Sequence, residues 1–273
     1  MTISERSGPG RPRKRFGQHF LNDQMVIARI VETLHPRPGE ILCEIGPGRG
    51  ALSDRLATLD NELHLVEIDR DLVPLLQKRY AAQSNIHIHE QDALTLALET
   101  LHAAGRVVMV GNLPYNISTA LMIHLLAQRE RIERMVFMVQ KEVALRLTAS
   151  PGSKEYGRLT VMMNRVFESE FIFDVDPHAF TPPPKVWSSV VAFKPLAAPV
   201  GPKVDEAAFA ALVRQAFSQR RKTLRNTLKG LCSESLIKKA GLDPMVRPEQ
   251  VSVASFVQLA ALAEKMIEAD EAD

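Results

Sequence analysis

Four short apolar segments of this chain each end in glycine or polar residues, and this repeated arrangement constrains the fold more than any other feature. The segments are Ile41–Ile45, Leu63–Val66, Ile86–His89 and Arg106–Val110, and a fifth, Met135–Val139, follows. Runs of this length, separated by helical patterns, are typical of buried parallel strands. Because the carboxyl ends of such strands line the ligand crevice of an open sheet, the sequence predicts an α/β fold with a ligand site at that edge.

A glycine-rich loop follows the first of these strands. Gly46 and Gly48 let the backbone turn sharply and approach a ligand closely at the start of a helix. Glu67 ends the second strand about 20 residues later, where nucleotide-binding sheets hold a ribose. The pattern alone is compatible with a nicotinamide dinucleotide as well as with S-adenosylmethionine. Glu44, two residues before the glycines, is typical of S-adenosylmethionine sites and favours the methyl donor.

The residues after the fourth strand, Asn112-Leu113-Pro114-Tyr115, are the predicted centre of the chemistry. Asn112 offers an amide oxygen that can accept a hydrogen bond from an exocyclic amine. Pro114 donates no backbone hydrogen bond and biases Leu113 towards extended geometry, which leaves backbone carbonyls as acceptors. Tyr115 offers a flat face for a purine. Such a corner suits methylation of adenine N6 and is of little use to a dehydrogenase, although these are also ordinary turn residues.

A proline-rich segment supplies a second aromatic candidate. Phe180 precedes three consecutive prolines, Pro182–Pro184, which stiffen a loop into an extended form. The functional interpretation makes Phe180 the second wall of a base-stacking pocket. The alternative is that Phe180 packs in the core.

Positive charge is concentrated in two places. Residues 1–15 carry five cations and one acid, and residues 214–229 carry six cations and no acid. Pro199, Gly201 and Pro202 mark a linker, so we predict a flexible basic tail at 1–15, a catalytic domain at 16–198 and a small helical domain at 199–273. We expect a basic stripe on the first helix of that last domain to bind RNA phosphates. Its residues are Arg220, Arg221, Lys222 and Arg225.

The remaining composition excludes several classes of protein. At 273 residues with 45% hydrophobic content, the chain suits a globular protein of one large and one small domain. No apolar run approaches the ~20 residues that span a bilayer, and the polar N-terminus does not resemble a secretory signal. Two cysteines form no disulfide framework, so we expect a cytoplasmic protein. The eight histidines lack paired metal-ligand spacing, and no metal is predicted.

Five motifs together resemble one family. They are Arg15–Leu21, Glu44–Gly48, Gly111–Ser118, Phe180–Val186 and Gln219–Thr223. In this order they closely resemble the KsgA-type (RsmA) small-subunit ribosomal RNA adenine dimethyltransferases, whose relatives include the Erm enzymes that methylate large-subunit RNA. The resemblance extends from about residue 13 to residue 265. It implies a Rossmann-like class I S-adenosylmethionine methyltransferase sheet followed by a small all-α C-terminal domain.

The resemblance also implies a substrate and a set of contacts. The substrate would be two adjacent adenosines in the loop of the 3′-terminal helix of 16S ribosomal RNA, dimethylated at N6 within an immature 30S subunit late in its assembly. Glu67 would bind the ribose hydroxyls of S-adenosylmethionine and Asp92 its adenine amine, and His19 stands where the family often has Asn. The implied cofactor contacts are His19, Leu21, Gly46, Gly48, Glu67, Ile68, Asp92, Ala93 and Asn112.

Three other functions fit parts of the sequence. One is an RNA-binding assembly factor in which methyl transfer is secondary or lost. Another is a DNA adenine methyltransferase, but that class usually has Asp-Pro-Pro-Tyr at the corner and a sequence-reading domain. The third is an Erm enzyme. Gln219–Lys222 and the Phe180 loop favour instead the methyltransferases that act on small-subunit RNA. We expect the protein to be a monomer.

Overall fold

The computed structural model describes residues 18–103 and 105–270, with side chains as far as residue 266. The predicted flexible tail at 1–15 lies outside the described residues. The chain divides into a sheet unit, residues 18–144 with Glu170–Pro195, and a helical unit, Leu145–Ser169 with residues 196–270. The sequence analysis places Leu145–Ser169 in the predicted catalytic domain, 16–198, rather than in the helical domain, 199–273. These domain boundaries stay a prediction.

Nine strands are formed by the described residues, seven of them in one sheet. They are β1 (Phe20–Leu21), β2 (Ile41–Ile45), β3 (Glu62–Glu67), β4 (Ile86–Glu90), β5 (Val107–Asn112), β6 (Ile132–Gln140), β7 (Phe167–Val175), β8 (Phe180–Thr181) and β9 (Ser188–Pro195). The order across the large sheet is β4-β3-β2-β5-β6-β9-β7, while β1 and β8 pair separately. The five strands from β4 to β6 are parallel, and β9 is antiparallel to β6. This arrangement confirms the predicted α/β fold.

Ten α-helices occur in the same described ranges. They are α1 (Gln24–Leu34), α2 (Ala51–Leu56), α3 (Val73–Arg79), α4 (Ser118–Leu126), α5 (Lys141–Leu147), α6 (Arg158–Asn164), α7 (Glu206–Ala216), α8 (Leu224–Thr227), α9 (Glu234–Lys239) and α10 (Val253–Asp270). None of these helices combines the length and the apolar character that a membrane span requires.

The parallel register explains why the polar strand ends meet. Ile45 at the end of β2 pairs with Val66 of β3, and Glu44 pairs with Val110 of β5. Residues 107–111 of β5 are buried, as expected for a strand covered on both faces. The residues that follow β2, β3 and β5 therefore lie at one edge of the sheet.

Helix α1 has a side-chain cap at its start. The Asp23 carboxylate accepts hydrogen bonds from the backbone N–H groups of Met25 and Val26 at 2.8 and 3.1 Å, which makes Asp23 the N-cap of the helix. His35, directly before Pro36, closes the helix in the left-handed region with φ 47°. The buried face of α1 (Ile27, Ile30 and Leu34) packs into the core of the sheet unit.

Candidate active site

A cavity of about 300 Å³ opens at the carboxyl edge of the parallel strands. Its wall brings together all nine residues that the resemblance assigns to the cofactor and the four corner residues at the end of β5. Those residues are His19, Leu21, Gly46, Gly48, Glu67, Ile68, Asp92, Ala93, Asn112, Leu113, Pro114 and Tyr115. We call Asn112–Tyr115 the catalytic corner.

The glycine loop makes one wall of the cavity. Gly48 has φ 59°, and a Cβ atom built on it would lie 3.1 Å from the Phe20 ring. Glycine is therefore required there both by the left-handed backbone and by the close packing of Phe20. The backbone of this loop therefore lines the cavity just before the N-terminus of α2, where a ligand can approach closely.

Glu67 is held in place by backbone donors. Its Oε2 accepts from the N–H of Gly48 at 3.0 Å, and its Oε1 accepts from the N–H of Asp69 at 2.8 Å. Burial raises the pKa of the Glu67 carboxyl above its usual value, and these backbone hydrogen bonds oppose that rise. Each oxygen keeps a second lone pair, so a carboxylate held this way can also accept the hydroxyls of a ribose.

Asn112 is oriented by a single contact. Its Nδ2 donates to the backbone carbonyl of His19 at 2.9 Å, which leaves Oδ1 as the acceptor of the same amide. The next residue, Leu113, donates its N–H to the carbonyl of Met138 at 3.0 Å. The Pro114 carbonyl accepts from the N–H groups of Ile117 and Ser118 at 3.1 and 3.2 Å. The sequence predicts that backbone carbonyls at this corner accept hydrogen bonds from the substrate. Because the Pro114 carbonyl already accepts from two backbone N–H groups, the Leu113 carbonyl is better suited to a ligand.

Tyr115 is held at both its hydroxyl and its ring. Its hydroxyl shares a 2.8 Å hydrogen bond with the Ser188 hydroxyl at the start of β9. The ring stacks on His19, with centroids 5.6 Å apart and an interplanar angle of 27°. Burial raises the pKa of Tyr115, partly offset by the bond to Ser188, so the phenol stays neutral near pH 7.

Phe180 lies outside the cavity wall, unlike Tyr115. Only 2% of its surface is exposed, and it belongs to the hydrophobic core of the sheet unit. Phe180 pairs with Leu21 where β8 meets β1. The geometry thus supports the packing alternative and corrects the expectation of a second stacking wall: Phe180 secures the segment that carries His19 and Leu21.

Close packing between β2 and β5 depends on Gly111. A Cβ atom added at this residue would lie 2.5 Å from the Ile45 carbonyl oxygen, closer than real Cβ atoms approach. Any larger residue would separate the two strands whose ends carry the glycine loop and the catalytic corner. Gly111 therefore fixes the distance between these two parts of the site.

The predicted RNA-binding cations lie in the helical unit. Arg220, Arg221 and Lys222 are exposed in the turn between α7 and α8, and Arg225 is exposed on α8. The expectation of a stripe on the first helix of the domain was wrong, because α7 ends at Ala216. The four cations form instead an exposed turn followed by a short helix, which we call the basic segment.

Three residues of the site were not singled out from the sequence. Gln18 lines the cavity and donates through Nε2 to Asp69 at 3.0 Å. The Phe20 ring lies 4.6 Å from the Arg49 guanidinium carbon. Gln18 and Phe20 both lie in the Arg15–Leu21 motif, which could have indicated them. Ser188 could not have been found, because its partner Tyr115 is 73 residues away in the chain.

The site suits S-adenosylmethionine on the chemistry of its donors and acceptors. Glu67 offers buried carboxylate oxygens, the glycine loop offers close backbone approach, and Asp92 lies on the same wall. Among the described residues, no group of three or more His, Cys, Asp or Glu side chains is placed to hold a metal ion.

Comparison with known proteins identifies the family. The family model described as ribosomal RNA adenine dimethylase matches residues 10–265. The chain belongs to the ribosomal RNA adenine dimethylase family. It is accordingly an S-adenosylmethionine-dependent methyltransferase, which confirms the predicted resemblance and cofactor.

Relatives of known name agree with this family. The "Ribosomal RNA small subunit methyltransferase A" of Pseudomonas fluorescens is 49% identical over 251 residues, covering 92% of this chain and 93% of its own. That of Aromatoleum aromaticum is 49% identical over 249 residues, covering 91% and 93%.

Solved structures share the fold of the family. A dimethyladenosine transferase from Plasmodium falciparum superposes with a TM-score of 0.75 at 24% identity, covering 90% of this chain and 98% of its own. The 23S rRNA methyltransferase ErmE superposes with a TM-score of 0.70 at 28% identity, covering 90% and 99%. These likenesses confirm the class I methyltransferase fold.

Proposed function

We propose that this protein dimethylates the N6 atoms of two adjacent adenosines in the loop of the 3′-terminal helix of 16S ribosomal RNA. The observation that carries the proposal is the catalytic corner, where the Asn112 acceptor and the Tyr115 ring line the same cavity as the glycine loop and Glu67. The names of the relatives at 49% identity point to small-subunit RNA rather than large-subunit RNA.

The corner would hold the amine that is methylated. Asn112 Oδ1 and the Leu113 carbonyl each accept one hydrogen bond from N6, and these bonds draw the nitrogen lone pair out of conjugation with the ring. Bound S-adenosylmethionine supplies a sulfonium methyl as the electrophile. No strong base is needed, because the proton of N6 becomes acidic once the nitrogen is cationic. Positioning and electrostatics supply most of the rate.

Tyr115 would offset the cost of removing the adenosine from its stack. That cost is a few kcal/mol and is smallest in a loop, while stacking on an aromatic ring returns ~1–3 kcal/mol. Ser188 keeps the Tyr115 ring in position through its hydroxyl. Because Phe180 is buried, this stacking is assigned to Tyr115 alone.

The cofactor would be held by the opposite wall of the cavity. Glu67 accepts the ribose hydroxyls with the lone pairs that Gly48 and Asp69 leave, and Asp92 accepts the adenine amine. Asp92 itself caps the following turn, since its Oδ1 accepts from the N–H of Leu94 at 2.9 Å. This contact fixes its carboxylate while leaving the other oxygen for a ligand.

The basic segment would bind the phosphate backbone of the particle. Arg220, Arg221, Lys222 and Arg225 are exposed, and such cations position RNA without reading its sequence. An immature 30S subunit as substrate, late action in assembly, a monomeric enzyme and a cytoplasmic location complete the proposal. The flexible tail, the catalytic domain and the helical RNA-binding domain remain its proposed organisation.

Mass spectrometry of ribosomal RNA tests this function. Undermethylated 30S subunits are incubated with the protein and S-adenosylmethionine, and the 3′-terminal fragment of 16S RNA is analysed for dimethyladenosine at both adjacent positions. Large-subunit particles in a parallel incubation test the Erm alternative. Dimethyladenosine in the large-subunit RNA alone would contradict the proposal.

Two variants test the role assigned to the catalytic corner. Asn112→Ala should lose methyl transfer by about 100-fold or more, because one acceptor of the amine is gone. Asn85→Ala, a half-buried asparagine outside the cavity that donates to the Asn61 carbonyl, is the matched control. An Asn112→Ala protein that methylates normally would refute the assigned role of the corner.

A further inference from the structure

The single tryptophan of the chain is largely exposed. Trp187 shows 47% of its surface to solvent, and the preceding Val186 shows 44%. Aromatic side chains usually bury most of their large apolar area, because that burial stabilises the fold. An exposed indole beside a nucleic-acid site offers instead a face on which a base can stack.

Trp187 lies at the same edge of the sheet as the catalytic corner. Its carbonyl accepts from the N–H of Lys141 at 2.9 Å, immediately after β6 ends at Gln140. The next residue, Ser188, pairs with Gln140 and shares the 2.8 Å hydrogen bond with the Tyr115 hydroxyl. Because β9 is antiparallel to β6, its first residue stands where the parallel strands end. Trp187 is thus next in the chain to the residue that anchors Tyr115.

A fixed cation accompanies the indole. The Nζ atom of Lys141 lies 5.9 Å from the centroid of the Trp187 ring. Asp174 holds this ammonium through Oδ2 at 2.6 Å, and its Oδ1 accepts from the Ser189 hydroxyl at 2.6 Å. Asp174 balances this charge and takes one of the three N–H donors of the ammonium, which leaves two donors beside the indole. An aromatic face with such donors beside it can bind the base and the phosphate of a single strand.

We propose that Trp187 is a stacking platform for the nucleotide next to the adenosine that occupies the cavity. One base then lies against Tyr115 while its neighbour in the strand lies against Trp187, with Lys141 near the phosphate. Because the two target adenosines are adjacent, the platform holds each in turn while the other is methylated. This inference rests on the proposed function and adds a substrate contact to it.

Steady-state methyl transfer to undermethylated 30S subunits tests the platform. Trp187→Ala should raise the KM for the particle by at least about fivefold, as expected for the loss of one stacked base, with a smaller change in kcat. Trp187→Phe should recover most of the loss, since it keeps an aromatic face. Phe171→Ala, which truncates an aromatic residue of β7 that is 37% exposed, should behave as the wild type.

The affinity for S-adenosylmethionine, measured by calorimetry, shows whether Trp187→Ala has damaged the structure of the site. The affinity for the methyl donor should be the same in the wild type and in Trp187→Ala. A KM for Trp187→Ala within twofold of the wild type, or a Trp187→Phe variant as impaired as Trp187→Ala, would overturn the platform. A wild-type protein that transfers no methyl to 30S subunits would overturn the proposed function itself, and the platform with it.

Discussion

The catalytic corner and the basic segment, which we propose to bind the same substrate, have opposite kinds of structure. At the corner, Asn112 is hydrogen-bonded to the His19 carbonyl and Tyr115 to the Ser188 hydroxyl, and both residues line the cavity. In the basic segment, Arg221 and Lys222 are exposed in a turn, and the Arg225 guanidinium lies 3.6 Å from the Glu234 carboxylate with both side chains exposed.

This difference separates effects of position from effects of charge. A reacting amine must be held at a defined angle and distance, so each fixed contact at the corner affects the rate strongly. Phosphates attract any nearby cation through a field that salt screens, so each residue of the basic segment contributes little by itself. The four predictions that follow probe this contrast, in decreasing order of expected effect.

Tyr115 should give the largest effect. Tyr115→Ala removes the stacking face, and we expect kcat/KM for 30S methylation to fall by about 100-fold. Tyr115→Phe keeps the ring and loses only the hydrogen bond to Ser188, which predicts a loss of about tenfold or less. Equal losses in the two variants would show that the hydroxyl, rather than the ring, is what the reaction requires.

Gly111→Ala should destabilise the protein by about 1–3 kcal/mol. The added methyl would lie 2.5 Å from the Ile45 carbonyl oxygen, so β2 and β5 must move apart. Gly157→Ala is the matched control in the helical unit. Its new Cβ atom meets nothing closer than 3.9 Å, and φ there is −166°, which is extended backbone.

Urea unfolding measures both glycine variants. Gly157→Ala should change the free energy of unfolding by less than about 1 kcal/mol. If Gly111→Ala were as stable as Gly157→Ala, the close approach of β2 and β5 would not be required by the fold.

Glu44 should make stability depend on pH. Burial, the largest cause, raises the pKa of this carboxyl to about 8, although the Ser53 hydroxyl donates to its Oε2 at 2.6 Å. The native state therefore binds more protons than the unfolded chain between pH 4.5 and about 8. The stability from this group is present below pH 4.5 and is lost as pH rises through about 8, by at most ~1.4 kcal/mol per pH unit.

Glu44→Gln removes that titration while keeping an acceptor for Ser53. The difference in unfolding free energy between variant and wild type should grow in favour of the variant from pH 5 to pH 8 in urea titrations. Parallel pH profiles would mean that Glu44 does not hold its proton when buried.

Single charges of the basic segment should give the smallest effect. Arg221→Ala should weaken binding to 30S subunits several-fold and reduce the slope of log affinity against log salt by ~1. The rate at saturating particle should not change, because the residue does not touch the amine. Lys239→Ala, an exposed cation of the same unit on α9, removes equal charge elsewhere. If both variants weakened binding to 30S subunits equally, the effect would come from the net charge of the protein and not from the basic segment.

Much of the sheet unit follows from local sequence. The five parallel strands lie within a few residues of their predicted limits, because fully buried strands need continuous apolar runs and show them. The short β1–β8 pair was not predicted. Each of these strands has only two residues, and they lie about 160 residues apart in the chain, so neither shows a local pattern. The place of Leu145–Ser169 in the helical unit was not predicted either, because local sequence does not show against which unit a segment packs.

The residues of the site were predicted better than their contacts. The cavity includes every residue that the resemblance assigns to the cofactor. Strand order brings those at the carboxyl ends of the parallel strands to one edge, whereas His19 and Leu21 lie on the β1 segment. Phe180 was assigned to the wrong surface, since a sequence pattern does not show which way a side chain points at a strand end. The role of the basic cations in RNA binding stays a prediction, and they were assigned to the wrong element, because α7 ends at Ala216 before they begin.

The sequence by itself determined the five parallel strands, the glycine loop, the Asn-Leu-Pro-Tyr corner and the family, since these depend on residue type and spacing along the chain. Tertiary structure alone decided that Ser188 anchors Tyr115, that Gly111 sets the approach of two strands and that the Trp187 carbonyl accepts from Lys141 where β6 ends. Those facts join residues far apart in the chain, and only the packed sheet brings such residues within contact distance.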